Sequence, residues 1–199
     1  MHKDFLNSFI DEVKKIYEEP FVALHRPVFD ETEIKYMEDC IKSNYVSSVG
    51  EKVNEFESLI ANYTKSDYAI ATMNGTSALH LSLVASGVKH GDEVITQALT
   101  FVATCNAISY LDAKPVFIDV DRDTLGMSPE ALRLFLVNCT YKENGIIYNK
   151  ETGAKISACV PMHTFGMPLR IKEIADICSE WGLLLIEDAA ESLGSFVNN

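Results

Sequence analysis

Apolar residues recur at three-to-four spacing through the first third of the chain and in short runs through the remainder. Phe5, Phe9, Val13 and Ile16 predict an amphipathic helix over 1–19 that Pro20 ends. Ile34, Met37 and Ile41 predict a second helix beginning near Asp30, where Asp30 and Glu33 have the spacing of a capping box. Val53, Phe56, Leu59 and Ile60 predict a third over 51–63. The intervening stretch 43–50, SNYVSSVG, is polar and β-branched and reads as a loop.

From Tyr68 onward the pattern changes to short apolar runs alternating with helical segments. Strands are expected at 68–72, 93–96, 115–120, 157–161 and 183–187, with helices at 76–86, 101–111, 129–138 and 170–181. Ser128-Pro129-Glu130 starts a helix with a capping hydroxyl, a proline in the first position and an acid in the first turn. Such alternation predicts an α/β fold, a mostly parallel sheet with helices on both faces. The stretch 139–155 is polar, contains Gly145 and Gly153, and reads as an excursion between two core elements. The organisation expected is an N-terminal helical extension over 1–29 followed by one α/β domain over 30–199.

Composition narrows the class. At 199 residues with 47% hydrophobic and 23% charged positions, the chain is long enough for a sizeable core and is neither disordered nor collagen-like. Acidic residues outnumber basic ones 29 to 17, and the net charge of -12 repels phosphate backbones and anionic lipid, so neither nucleic acid nor a membrane is expected as partner. Cys40, Cys105, Cys139, Cys159 and Cys178 lack CxxC or histidine spacing, which argues against a metal site or a disulfide framework and for reduced thiols in a cytoplasmic protein. No apolar run approaches the ~18 residues of a membrane span.

In an open parallel sheet, ligands bind beyond the carboxyl ends of the strands. After 68–72 comes Met73-Asn74-Gly75-Thr76-Ser77, a small polar turn opening into a helix, which is either a seat for a phosphate or a capped turn. No GxGxxG or GxxxxGK[ST] occurs, so dinucleotide and P-loop readings lose their support. After 183–187 comes Asp188, an acid at the end of a buried strand, for which a cationic partner is expected. The acid either caps the following segment or pairs with an arginine of the fold, or else it holds a protonated heterocycle nitrogen. His163 follows the 157–161 strand and serves either as a hydrogen-bonding residue or as a site residue. Phe101 follows the 93–96 strand and either fills the core or stacks on a planar ligand.

Taken in order, the stretches NGTSALHLSL, GDEVITQALTFVATCNAISYLDAKPVFIDVD, VPMHTFGMP and LLLIEDAAESLGS resemble the DegT/StrS family of nucleotide-sugar aminotransferases, from about Arg26 to the last residues. The resemblance implies pyridoxal 5'-phosphate as cofactor and the large domain of the aspartate-aminotransferase fold (PLP fold type I), present here only in part. It implies that Gly75, Thr76 and Ser77 cradle the cofactor phosphate, that Phe101 stacks on the pyridine ring and that Asp188 pairs with the ring nitrogen. Glu191 stands where the family often has Gln or His near the ring hydroxyl, and His163 matches a recurrent histidine that lines the site.

The Schiff-base lysine of that family lies beyond the DAA motif, and here the last of thirteen lysines is Lys172. That lysine is expected beyond Asn199, the last residue of the sequence. No catalytic residue is therefore assigned within 1–199, and the chain by itself is expected to be inactive. The resemblance implies transfer of an amino group from glutamate to a nucleotide-linked 4-keto-6-deoxy sugar, in a cytoplasmic homodimer that supplies amino sugars for surface polysaccharide. Two other readings are a sugar dehydratase of the same family and a non-catalytic fragment that binds the cofactor or a partner.

Overall fold

The structure, a computed structural model, describes residues 2–23 and 26–197. It divides into two compact units, 1–71 and 72–199.

The first unit holds α1 (His2–Tyr17), α2 (Glu31–Ser43) and α3 (Glu51–Thr64). The expected capping box is formed. The Asp30 carboxylate accepts the Thr32 N–H at 2.6 Å and Glu33 reaches back to the Asp30 N–H at 2.7 Å. These bonds hold the Asp30 carboxyl below the usual carboxylate range, the Thr32 backbone N–H being the largest cause. Asn44 stops α2 in the left-handed region at φ 62°, its N–H returning to Ile41.

The strand expected at 68–72 does not form. The segment carries no ladder, and Ile70 is 72% exposed. Alternation makes a segment suited to a sheet, but a strand exists only when a neighbour takes its backbone hydrogen bonds. Among the described residues no strand lies beside it.

The second unit begins with α4 (Gly75–Ala85) and β1 (Glu93–Gln97), then α5 (Val102–Ser109) and β2 (Lys114–Ile118). It continues through α6 (Pro129–Cys139), β3 (Thr140–Glu143), β4 (Ile146–Asn149), β5 (Lys155–Val160), α7 (Ile171–Trp181) and β6 (Leu184–Leu185). The sheet runs β2-β1-β5-β4-β3, with β6 also on β5. The β1–β2, β1–β5 and β5–β6 pairs are parallel. The 139–155 stretch, expected as an excursion, instead forms an antiparallel β3–β4 hairpin that widens the sheet. Its turn, Asn144-Gly145, has positive φ at both residues, the geometry that suits strand twist.

β1 is buried along its whole length, as a central parallel strand must be. Val94 packs with Leu79 and Leu83 of α4 and Ala107 and Ile108 of α5 on one face. Ile95 packs with Leu132 and Leu136 of α6 and Ile174 and Ile177 of α7 on the other. The helices thus cover both faces, as expected. Ile156 and Cys159 of β5 lie in the same cluster although three residues apart. The reason is a register shift between the β1 positions 93 and 94, after which Val94 pairs with Ala158 and the alternation is reset.

Gly126 lies against this core, and a Cβ there would stand 2.4 Å from that of Leu169. Arg170 ties three segments together. It donates to Glu130 at the start of α6 and to Glu173 of α7, and its Nε stands 2.9 Å from Asp121 as an ionic contact off the hydrogen-bonding line. Among the described residues no helix is long and apolar enough to cross a membrane.

Candidate functional site

The carboxyl ends of β1, β5 and β6 bring together residues that are far apart in sequence. Beyond β5, Met162 forms a parallel bridge with Asp188. The Asp188 N–H donates to Pro161 O at 2.9 Å and the His163 N–H donates to Asp188 O at 3.1 Å. The sheet ladder therefore fixes the Asp188 backbone, although β6 proper ends at Leu185.

The Asp188 side chain is buried, with 4% exposure. The Thr104 hydroxyl donates to its Oδ2 at 2.6 Å, and the Ala190 N–H approaches Oδ1 at 3.3 Å. Among the described residues no arginine or histidine forms an ion pair with it. In place of the arginine that one reading allowed, one hydroxyl and the amide two residues on meet the carboxylate without neutralising it. Thr104 belongs to the first turn of α5, which Phe101 opens as the N-cap residue. The Phe101 N–H and the Thr100 hydroxyl both approach Met162 Sδ, at 3.3 and 3.4 Å. Phe101, Thr104, Met162 and Asp188 therefore form one group, with the Phe101 side chain free of the core at 67% exposure.

His163 is buried beside this group. The Leu169 N–H donates to Nδ1 at 3.3 Å, which leaves the ring proton on Nε2, donated to Glu187 at 3.0 Å. Glu191 accepts the Phe165 N–H on Oε2 at 2.8 Å. That bond pins a turn in which Phe165 and Gly166 are both left-handed, and a Cβ on Gly166 would stand 2.6 Å from Glu191 O. Glycine is required there by both φ and space.

Gly75, Thr76 and Ser77 form the first turn of α4. Asn74 accepts the Ser77 N–H at 2.8 Å, while the N–H groups of Gly75 and Thr76 lie where no helical carbonyl reaches them. Nothing lies within 4 Å of a Cβ built on Gly75. Among the described residues no hydrogen bond joins this turn to the Asp188 group. The two are related through the packing of α4 on α5. Thr76, Ser77, His80 and Tyr110 line a cavity of about 370 Å³ there. Asn199, beyond which the Schiff-base lysine is expected, lies outside the described residues.

Gln97, at the end of β1, was not singled out from sequence. Fully buried, its amide donates to Leu99 O and Thr164 Oγ1 and accepts from the N–H groups of Met127 and Met162. It knits the strand-end segments together. Thr104 was also missed, and a signal existed: a hydroxyl three positions after Phe101, on the side of the helix that carries Ala107 and Ile108. The Cys105 thiol beside it is pushed up by burial, which disfavours its nucleophilic form. Among the described residues no group of three His, Cys, Asp or Glu is placed to hold a metal.

Residues 27–199 match the DegT/DnrJ/EryC1/StrS aminotransferase family. The chain belongs to that family. It is 36% identical over 177 residues to a GDP-perosamine synthase of Vibrio cholerae, a match covering 89% of this chain and 44% of that protein. The fold is similar to the aminotransferase from Psychrobacter cryohalolentis, with a TM-score of 0.73 and 31% identity over 88% of this chain and 40% of that one. It is also similar to a GDP-4-keto-6-deoxymannose-3-dehydratase solved with trapped PLP-glutamate, with a TM-score of 0.73 and 25% identity over 90% of this chain and 44% of that one. The chain thus spans less than half the length of these DegT/DnrJ/EryC1/StrS relatives. The family depends on pyridoxal 5'-phosphate, and the sheet described above is part of its PLP fold type I large domain.

Proposed function

We propose that this chain forms the cofactor-gripping part of a pyridoxal-phosphate-dependent enzyme that transfers an amino group from glutamate to a nucleotide-linked 4-keto-6-deoxy sugar. The observation that carries the reading is Asp188, a buried carboxylate with neutral donors and, among the described residues, no arginine or histidine paired to it. An uncompensated buried charge is costly, and the protonated nitrogen of a pyridine ring supplies what is missing. Gly75 adds to the fit. Its φ is not positive and no atom crowds its Cβ, so the protein itself gives no reason for glycine, whereas a phosphate drawn up to the Gly75 and Thr76 N–H groups does.

In this reading Gly75, Thr76 and Ser77 hold the phosphate at the positive end of α4. The exposed ring of Phe101 stacks on the pyridine. Asp188 keeps positive charge on the ring nitrogen. Glu191, with Oε2 engaged by Phe165, offers its other oxygen to the ring hydroxyl. His163 holds Glu187 and the turn beside Asp188 in place. When bound, the cofactor supplies an electron-accepting ring that stabilises negative charge on the carbon losing its proton. The chain's own residues orient that ring and set its charge. In this reading none of the lysines up to Lys172, all of which precede Asp188, forms the covalent link to the cofactor.

The nucleotide-sugar substrate is supported by the names of the GDP-perosamine synthase and the GDP-4-keto-6-deoxymannose-3-dehydratase. The second of these, with the same TM-score as the aminotransferase from Psychrobacter cryohalolentis, favours one alternative: dehydration of the same class of sugar on the same cofactor site. The whole protein acts as a cytoplasmic homodimer and feeds amino-deoxy sugars into surface polysaccharide.

Isothermal titration of the polypeptide with pyridoxamine 5'-phosphate, which needs no lysine, tests the reading. One saturable site is expected. Asp188→Asn should weaken it at least tenfold, because a hydrogen bond to a charged group is worth about 1.5–3 kcal/mol. No binding, or unchanged affinity in the variant, refutes it.

A further inference from the structure

We infer that Thr104 is a positioning residue for the cofactor's ring nitrogen, because its hydroxyl decides which oxygen of Asp188 the nitrogen meets. The inference rests on the assignment of Asp188 above. Thr104 is 1% exposed, and its hydroxyl stands 2.6 Å from Asp188 Oδ2 and 3.0 Å from the hydroxyl of Thr100. A hydroxyl has one proton, and a carboxylate only accepts. The Thr104 proton therefore goes to Asp188, and the contact between the two hydroxyls is donated by Thr100. The chain runs in one direction, from Thr100 to Thr104 to Asp188.

This direction leaves the two carboxylate oxygens unequal. Oδ2 is occupied by the 2.6 Å bond, whereas Oδ1 has only the long 3.3 Å approach of the Ala190 N–H. Oδ1 is thus the less occupied oxygen and the one that would receive a ring N–H. The Asp188 backbone is already held by Pro161 O and by the His163 N–H, so the side-chain torsions alone remain to be set. Thr104 sets them from a rigid helical turn packed in the core, which is how a site is held to the tolerance that an ion pair with a planar ring needs. The inference identifies a residue outside the phosphate cradle, the ring stack and the pyridine acid, 84 positions from the carboxylate it serves.

The test loads the 199-residue polypeptide with pyridoxamine 5'-phosphate labelled with 15N in the ring. The 15N resonance reports whether the nitrogen is pyridinium or neutral, a signature that a merely structural threonine does not move. Wild type and Thr104→Ser should both show the pyridinium position. Thr104→Val, nearly isosteric, should bind roughly tenfold more weakly and move the resonance toward neutral pyridine. Thermal melting checks that the variants are folded. If Thr104→Val does not fold, Thr100→Val decides: a smaller displacement in the same direction supports the inference, and none overturns it. Thr104→Val with wild-type affinity and resonance, while Asp188→Asn loses the pyridinium signal, overturns the role of Thr104 and leaves the Asp188 assignment standing. An Asp188→Asn variant that keeps the pyridinium signal, or a wild type that binds nothing, overturns both.

Discussion

The helices of the first unit carry apolar stripes as α6 and α7 of the second do, while α4 and α5 are apolar on most sides, but only the helices of the second unit are covered. On α2 and α3 no residue is buried, and Phe9, Met37 and Leu59 each stand 60% exposed or more. On α4 to α7 the corresponding positions, Leu83, Ile108, Leu136 and Ile174, are at 1% or less. The physical difference is the sheet. A parallel strand such as β1 offers two apolar faces at once, and helices on both sides bury their stripes against it. Helices without a sheet or one another to cover them keep their caps and their hydrogen bonds but gain little from the hydrophobic effect.

The largest test of this contrast is a pair of truncations. Leu83→Ala empties a fully packed position and should cost about 2–5 kcal/mol in urea unfolding. Met37→Ala, on a face open to water, should stay within about 0.5 kcal/mol. Equal losses at both sites would mean that the first unit is packed in solution. Next in size, Gly126→Ala drives a methyl into the Leu169 side chain and should lower stability by about 1–3 kcal/mol; an unchanged melting temperature would show that this contact relaxes freely.

A smaller effect separates the units by pH. The Arg170 guanidinium holds the Glu130 carboxyl down at about 2, below the usual carboxylate range. Because the folded value is depressed, the contribution is complete above the ordinary value of 4.5 and is lost as pH falls toward 2. Both side chains reach solvent, so screening keeps the effect small. Arg170→Met should flatten the acid limb of the unfolding curve between those values by lowering neutral stability by that same small amount, with stability near pH 2 unchanged apart from lost packing. Smallest of all, Asp30→Ala removes the cap of α2. Its signature is a modest drop in far-UV helicity with no change in the melting of the second unit.

Much of the second unit was legible from sequence because its elements announce themselves locally. Ser128 does accept the Ala131 N–H at the start of α6, and the apolar run before Glu187 does end at a buried acid. The 68–72 strand was misread because Tyr68 and Ile70 alternate as strand residues do, while nothing in the alternation tells whether a neighbour is present. The hairpin at β3 and β4 was missed for the opposite reason. Beyond Thr140 the β3 strand is exposed and ends in two charged residues, and β4 adds only the short run Ile146-Ile147-Tyr148, so the apolar pattern is faint there although the pairing is regular.

The sequence by itself determined where helices start and stop, which residues stand at the strand ends, and that Gly75, Phe101 and Asp188 were worth attention. Caps, turns and periodicity act within a few residues, so they can be read along the chain. Only the tertiary structure decided what surrounds Asp188: a threonine 84 residues away on one oxygen and a weak amide on the other. The reason is that charge compensation in a buried site depends on what the sheet brings together in space, and neighbours along the chain do not supply it.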